Sequence, residues 1–260
     1  MGEFVRIEES TADGVAIMRL DRPKVNAINE QVSAELEEAA AELEARDDIR
    51  GVVVWGGERI FAAGFDIGAF PIDGDRNPAP TVKGLNDAIF RIENLPQITV
   101  SAVNGVAVGG GCELAMAADF RVCGASARFG QPEILLGITP GGGGTQRLTR
   151  LVGVTKSKEI CYSGRMVSAD EALDIGLVSA VHDDDAVLDA AVEMVAGYAA
   201  GPAALVNVKR AIMDGLHLSL AEAVAVETRE FVASFQTEDA VIGIHSFLEN
   251  GPGKATFTGK

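Results

Sequence analysis

Residues 98–123 read ITVSAVNGVAVGGGCELAMAADFRVC, and their pattern decides the fold. Ile98–Val103 is short and rich in β-branched residues, as a buried strand is. Gly109-Gly110-Gly111 interrupts the apolar run, and Cys112–Ala118 is a strong helix former. Phe120–Cys123 then reads as a second strand. Strand, glycine turn, helix and strand within so short a span argue for an α/β fold with largely parallel pairing.

Working outward, Gly51–Trp55 (GVVVW) and Val15–Leu20 carry the same strand signal. Between them, Asn29–Ala45 places Val32, Leu36, Ala39, Ala40 and Leu43 at helical spacing. Beyond about residue 155 helix signals dominate. Ser168 with Glu171, and Ser219 with Glu222, predict capping boxes, and Gly176 predicts a helix C-terminus. The division expected is an α/β core over residues 1–182 and a helical C-terminal region over 183–260, packed as one unit. Ala69–Thr81 (AFPIDGDRNPAPT) is too rich in Pro, Gly and Asp for helix or strand. Two readings stand for it, a surface connection or a wall of a binding site.

At 260 residues the chain can bury a large core without disulfide or metal. The formal charge of −16 argues against nucleic acid and anionic membranes as partners. Cys112, Cys123 and Cys161 are widely spaced and form neither a disulfide framework nor a zinc motif, which predicts a reducing compartment. The first ten residues have acids early and no apolar core, so no signal peptide is expected, and no apolar run is long enough to span a bilayer. A cytoplasmic location follows as the expectation.

Several chemistries are disfavoured by what is missing. Gly105–Gly110 has the glycine spacing of a phosphate-binding loop, but Gly111 and Cys112 stand where Lys and Ser or Thr are needed. No nucleophile elbow is present, and His182, His217 and His245 are scattered. Glycine-rich backbone and carboxylates remain. The Gly109–Gly111 turn opens a helix, so free N–H groups and a positive dipole end meet there. Phe61-Ala-Ala-Gly-Phe-Asp66 supplies a second glycine-bearing loop after another strand. Two converging N–H groups form an oxyanion hole suited to a carbonyl becoming an enolate. Glu113 lies in the first helical turn, where an acid is favoured electrostatically with or without catalysis. Glu133, in Phe129-Gly-Gln-Pro-Glu-Ile-Leu-Leu136, is flanked by an apolar run. It is either a loop acid or a buried one with a raised pKa.

Together these segments resemble the crotonase (enoyl-CoA hydratase/isomerase) family, most closely its enoyl-CoA hydratases. The core of the likeness is SAVNGVAVGGGCELAMAADFRVCGASARFGQPEILLGITPGGGGTQRLTRLVG, residues 101–153. It extends from Leu20-Asp-Arg-Pro-Lys-Val-Asn-Ala-Ile28 to the final Phe-Thr-Gly-Lys260. The resemblance implies a spiral of ββα units closed by C-terminal helices, assembled as homotrimers or homohexamers. It implies oxyanion donors at the amides of Phe65 and Gly110, and catalytic roles for Glu113, mainly toward water, and Glu133, mainly toward Cα. Acyl-CoA contacts are implied at Arg22, Lys24, Ala27, Ala63, Asp66, Ile67, Gly68 and Phe247. The implied reaction hydrates 2-enoyl-CoA to 3-hydroxyacyl-CoA, with no cofactor beyond the coenzyme A of the substrate and no metal. Sister activities on the same hole are isomerisation, thioester hydrolysis and decarboxylation; a non-catalytic acyl-CoA-binding scaffold is the reading from another class. Gly68 and Asn250 replace lysines common in hydratases, so Arg22, Lys24 or Lys254 would have to meet the CoA phosphates. Phe65 stands where many hydratases have Ala.

Overall fold

The computed structural model describes residues 2–71, 73–74 and 76–260. Its main sheet has six strands in the order β1 (Val5–Glu9), β2 (Val15–Leu20), β3 (Gly51–Trp55), β4 (Ile98–Val103), β6 (Phe120–Gly124) and β9 (Ala180–His182). Within this sheet only β1 and β2 are antiparallel, and the other pairings are parallel. A small second sheet joins β5 (Val106–Val108), β7 (Arg128–Gly130) and β8 (Val167–Ser168).

Parallel strands need crossover helices, and the apolar pattern explains how both sheet faces are covered. Side chains alternate along a strand. Ala16, Met18, Val52 and Val54 therefore face one core, with α1 (Glu30–Glu44), α2 (Ala79–Glu93) and α3 (Gly110–Ala117). Ile17, Val53, Val100 and Ala102 face the other, against Val187, Ala191, Val195 and Ala199 of α7 (Val187–Ala199). Each such buried Val or Ile contributes about 1.5–3 kcal/mol.

Helix α1 buries the five predicted apolar residues, and Asn29 Oδ1 caps it by accepting from the Val32 amide at 2.9 Å. After β7 come α4 (Gly144–Val152), α5 (Val154–Ser163) and α6 (Ala169–Asp174). Helix α6 ends in a Schellman motif: Gly176, at φ 75°, donates to Leu173 O and Leu177 donates to Ala172 O. The expected capping box at its start is only half formed. Ser168 Oγ accepts from the Glu171 amide, but the Glu171 carboxylate turns to Arg165 at 2.6 and 2.8 Å. A two-pronged guanidinium contact outcompetes a single neutral amide. The box at Ser219 and Glu222 is complete.

The segment 69–81 also differs from expectation. Ile67–Ala69 forms a 3-10 turn, and Ala79, Pro80 and Thr81 are the first turn of α2. Proline is tolerated there because a first-turn N–H has no intrahelical partner to lose. Residues 72 and 75 of that segment lie outside the described residues.

The chain closes with α8 (Leu205–Gly215), α9 (Leu220–Ser234) and α10 (Glu238–Asn250). Buried Lys209 ties α8 to the sheet, donating to Asp119 at 2.9 Å and to Gln97 O at 3.0 Å. Asp239 of α10 accepts from the amides of Ala203, Thr258 and Gly259. Val208, Ile212, Phe231, Val232, Phe247 and Leu248 leave these three helices with large apolar faces exposed. No helix among the described residues is long and apolar enough to cross a membrane.

Candidate active site

The site forms where three loops leave the strand ends. The first is Gly64-Phe65, held in place by main-chain bonds on both sides. Ile28 N donates to Gly64 O at 2.8 Å and Asp66 N to Ile28 O at 2.7 Å. Ala62 N donates to Val106 O and Val108 N returns to Ala62 O, at 3.0 and 3.2 Å. The second is Gly109–Gly111. A Cβ on Gly111 would come within 2.2 Å of Ala62 O, so only glycine lets the two loops touch.

The structure brings the loops carrying the Phe65 and Gly110 amides close together. An ideal Cβ on Gly110 would lie 3.4 Å from Phe65 N, and one on Gly64 would lie 3.8 Å from Gly110 N. Neither the Phe65 nor the Gly110 amide donates to an acceptor among the described residues. Gly110 opens α3, so its N–H adds to the positive end of that helix.

The third loop brings Glu133, carried on a 3-10 turn over Pro132–Leu136. A Cβ on Gly109 would stand 2.9 Å from Glu133 Oε1 and 3.7 Å from Gly64 Cα, so carboxylate and both glycine loops share one spot. Burial raises the Glu133 pKa, and its buried Oε2 has no hydrogen-bond partner among the described residues. An ionised oxygen left so is costly, which favours the protonated acid. The neighbouring Ile134, Leu135 and Leu136 are exposed, so the apolar run is not what buries the acid.

Glu113 is 2% exposed on α3. Burial pushes its pKa up to about 7; the Gly144 amide, donating to Oε1 at 2.7 Å, opposes this, the charge of Glu133 adds to it, and the Gly142 amide and Arg147 oppose it further. Two carboxyls that both resist ionisation, beside a pair of amides, can pass one proton between them while the amides hold developing negative charge.

The apolar wall comes from Leu85 of α2, whose Cδ2 lies 3.5 Å from an ideal Cβ on Gly110. Phe65 and Phe70 add rings with centroids 5.2 Å apart. Neither Leu85 nor the Gly142–Gly144 turn was among the predicted site residues. The run of four glycines was visible in the sequence, but a backbone donor leaves no side-chain signature.

Of the predicted CoA contacts, Arg22, Ala27 and Asp66 come together: the Arg22 guanidinium donates to Ala27 O at 2.8 Å and to Asp66 at 2.9 Å. Ala63 is held beside them by its amide bond to Val25 O, and Asp66 caps the turn holding Ile67 and Gly68 through the Gly68 amide. Lys24 is exposed, with no ion pair among the described residues. Phe247 lies on α10 and is 59% exposed.

This geometry agrees with a comparison against known families. The enoyl-CoA hydratase/isomerase family model matches residues 10–260. The chain belongs to that family. As a hydratase/isomerase family member it is 38% identical to the short-chain-enoyl-CoA hydratase of Clostridium acetobutylicum, over 90% of this chain and 91% of that protein. It is also 38% identical to the crotonyl-CoA hydratase of Syntrophomonas wolfei, over 95% of each. The crystal structure of an enoyl-CoA hydratase from Bacillus anthracis superposes with a TM-score of 0.92 at 31% identity, covering 99% of this chain and 100% of that one. The crotonase fold expected for this family member is therefore the fold it has.

Proposed function

We propose that this protein is an enoyl-CoA hydratase, adding water across the 2,3 double bond of a 2-enoyl-CoA to form 3-hydroxyacyl-CoA. The observation that carries this is the close approach of Glu133 Oε1 to Gly109, in the loop that also brings the Gly110 amide toward Phe65, with Glu113 buried on the same helix start. In this reading the thioester oxygen accepts hydrogen bonds from Phe65 and Gly110 N–H. Glu113 takes a proton from water as its oxygen bonds to Cβ, and Glu133 delivers a proton to Cα. The hole holds the enolate charge between those events. Isomerisation needs only one acid to shuttle a proton, so a pair of glutamates favours hydration. Arg22 and Lys24 are read as lying toward the nucleotide end. The exposed faces of α8–α10 are read as subunit contacts of a trimer or hexamer, working in the cytoplasm.

The test is an ultraviolet assay with crotonyl-CoA. Loss of the conjugated enoyl-thioester absorbance, with 3-hydroxybutyryl-CoA as product, supports the reading. Glu113→Gln and Glu133→Gln should each lower turnover ~10²–10⁴-fold. Parent-rate hydration by either variant overturns the two-acid scheme.

A further inference from the structure

The turn at Gly141–Gly144 has no side chain of its own, yet it supplies the amide that holds Glu113. Its own carbonyls are gripped from outside. Asn86 of α2 donates to Gly141 O at 3.0 Å, and Arg147 Nη1 donates to Gly142 O at 3.1 Å. Arg147 is 8% exposed and is itself clamped by α2. Its Nε and Nη2 meet the Glu93 carboxylate at 3.0 and 2.6 Å, and its Cζ lies 5.0 Å from the Phe90 ring centroid. A planar fork suits this task, since one edge grips the carboxylate while the remaining nitrogen reaches a carbonyl.

We propose that Arg147, braced by Glu93, is a positioning residue that holds the Gly142–Gly144 turn, and through it Glu113, in place for hydration. This rests on the assignment of Glu113 to water. Arg147 acts through geometry and through charge. The turn orients the carboxylate by its amides, and the guanidinium favours the ionised form that must accept a proton. The other groups facing Glu113 are Glu133 and the thiols of Cys112 and Cys161, none of them cationic. Arg147 is thus the cation that opposes the effect of burial on the Glu113 carboxylate.

The experiment is the pH profile of kcat and KM for crotonyl-CoA in the parent, Arg147→Gln, Arg147→Lys and Glu93→Gln. Arg147→Gln should lower kcat ~10–100-fold with little change in KM, a misplaced base being costly. Its acid limb should rise by about one pH unit, because a neighbouring positive charge is lost. Arg147→Lys should return the limb toward the parent while kcat stays low, since an ammonium lacks the fork. Glu93→Gln loosens the fork that braces Arg147 and should lower kcat in the same direction as Arg147→Gln, with little change in KM. A parent-like limb and kcat in folded Arg147→Gln overturns the inference, as does a parent kcat in Glu93→Gln should the first variant fail to fold. Glu113→Gln separates the two levels. If it is inactive while the arginine variants behave as the parent, only the positioning role fails; if it is active, the assignment beneath it fails.

Discussion

Gly109 and Glu133 approach so closely that a Cβ on the glycine would sit 2.9 Å from the carboxyl oxygen. The glycine also has φ 51° and ψ −128°, outside the left-handed helical region, where a side chain costs about 1–3 kcal/mol. Gly109→Ala should therefore lose stability by about that amount and displace Glu133, lowering kcat by ~10-fold or more. Thermal melts and steady-state kinetics on one preparation check both effects. An alanine variant with parent kcat would mean Glu133 is not held by this contact.

The pH dependence follows from Glu113, pushed up to about 7 by burial. In the proposed scheme it acts as a base and must be ionised, so activity should fall as pH drops through that value. Stability runs the opposite way. A raised acid stabilises the fold most below its unfolded value, ~4.3, and that contribution is lost as pH rises through about 7. Glu113→Gln should then be more stable than the parent at alkaline pH, by up to roughly 3 kcal/mol, with the gap closing in acid. Denaturant midpoints of both proteins at the two extremes measure this.

Phe65→Ala removes a ring but keeps the amide. Turnover of crotonyl-CoA should change little, because the donor is main chain. The ratio of kcat/KM for longer against shorter enoyl-CoAs should rise as the Phe65–Phe70 wall opens. A collapse of kcat on every substrate would show that the ring also fixes the loop.

Arg22 and Lys24 should separate in kinetics. Lys24 is exposed without a described ion pair, so Lys24→Ala should raise KM alone, an effect fading with added salt. Arg22 braces Asp66, the residue after Phe65, so Arg22→Ala should also reduce kcat. Equal KM-only effects would place both side chains simply in the path of the phosphates.

The fold was legible because strands buried on both faces read as apolar runs, as at Gly51–Trp55 and Ile98–Val103. Glu113 and Glu133 stood out as candidates from their surroundings, but the residues alone left each open, and roles for them came only with the family resemblance. Arg147 and Gly144 were not, since one works through a carbonyl and the other through an amide, and both depend on contacts with residues distant in sequence. The α2 start at Ala79 was hidden by Pro80, whose meaning changes with its position in a turn. Glu171 shows the same limit, because its competitor Arg165 lies outside the capping pattern altogether.

Phe65 and Gly110 offer their main-chain N–H groups within a lattice of backbone bonds to Ile28, Val106 and Ala62. Replacing the side chain at position 65 leaves its amide in place, with proline as the exception, because only proline removes the donor. On the proposed reading of these amides, residues around the acyl chain can then be exchanged in directed evolution while the two main-chain donors are kept, which makes this scaffold a natural starting point for libraries aimed at new thioester substrates.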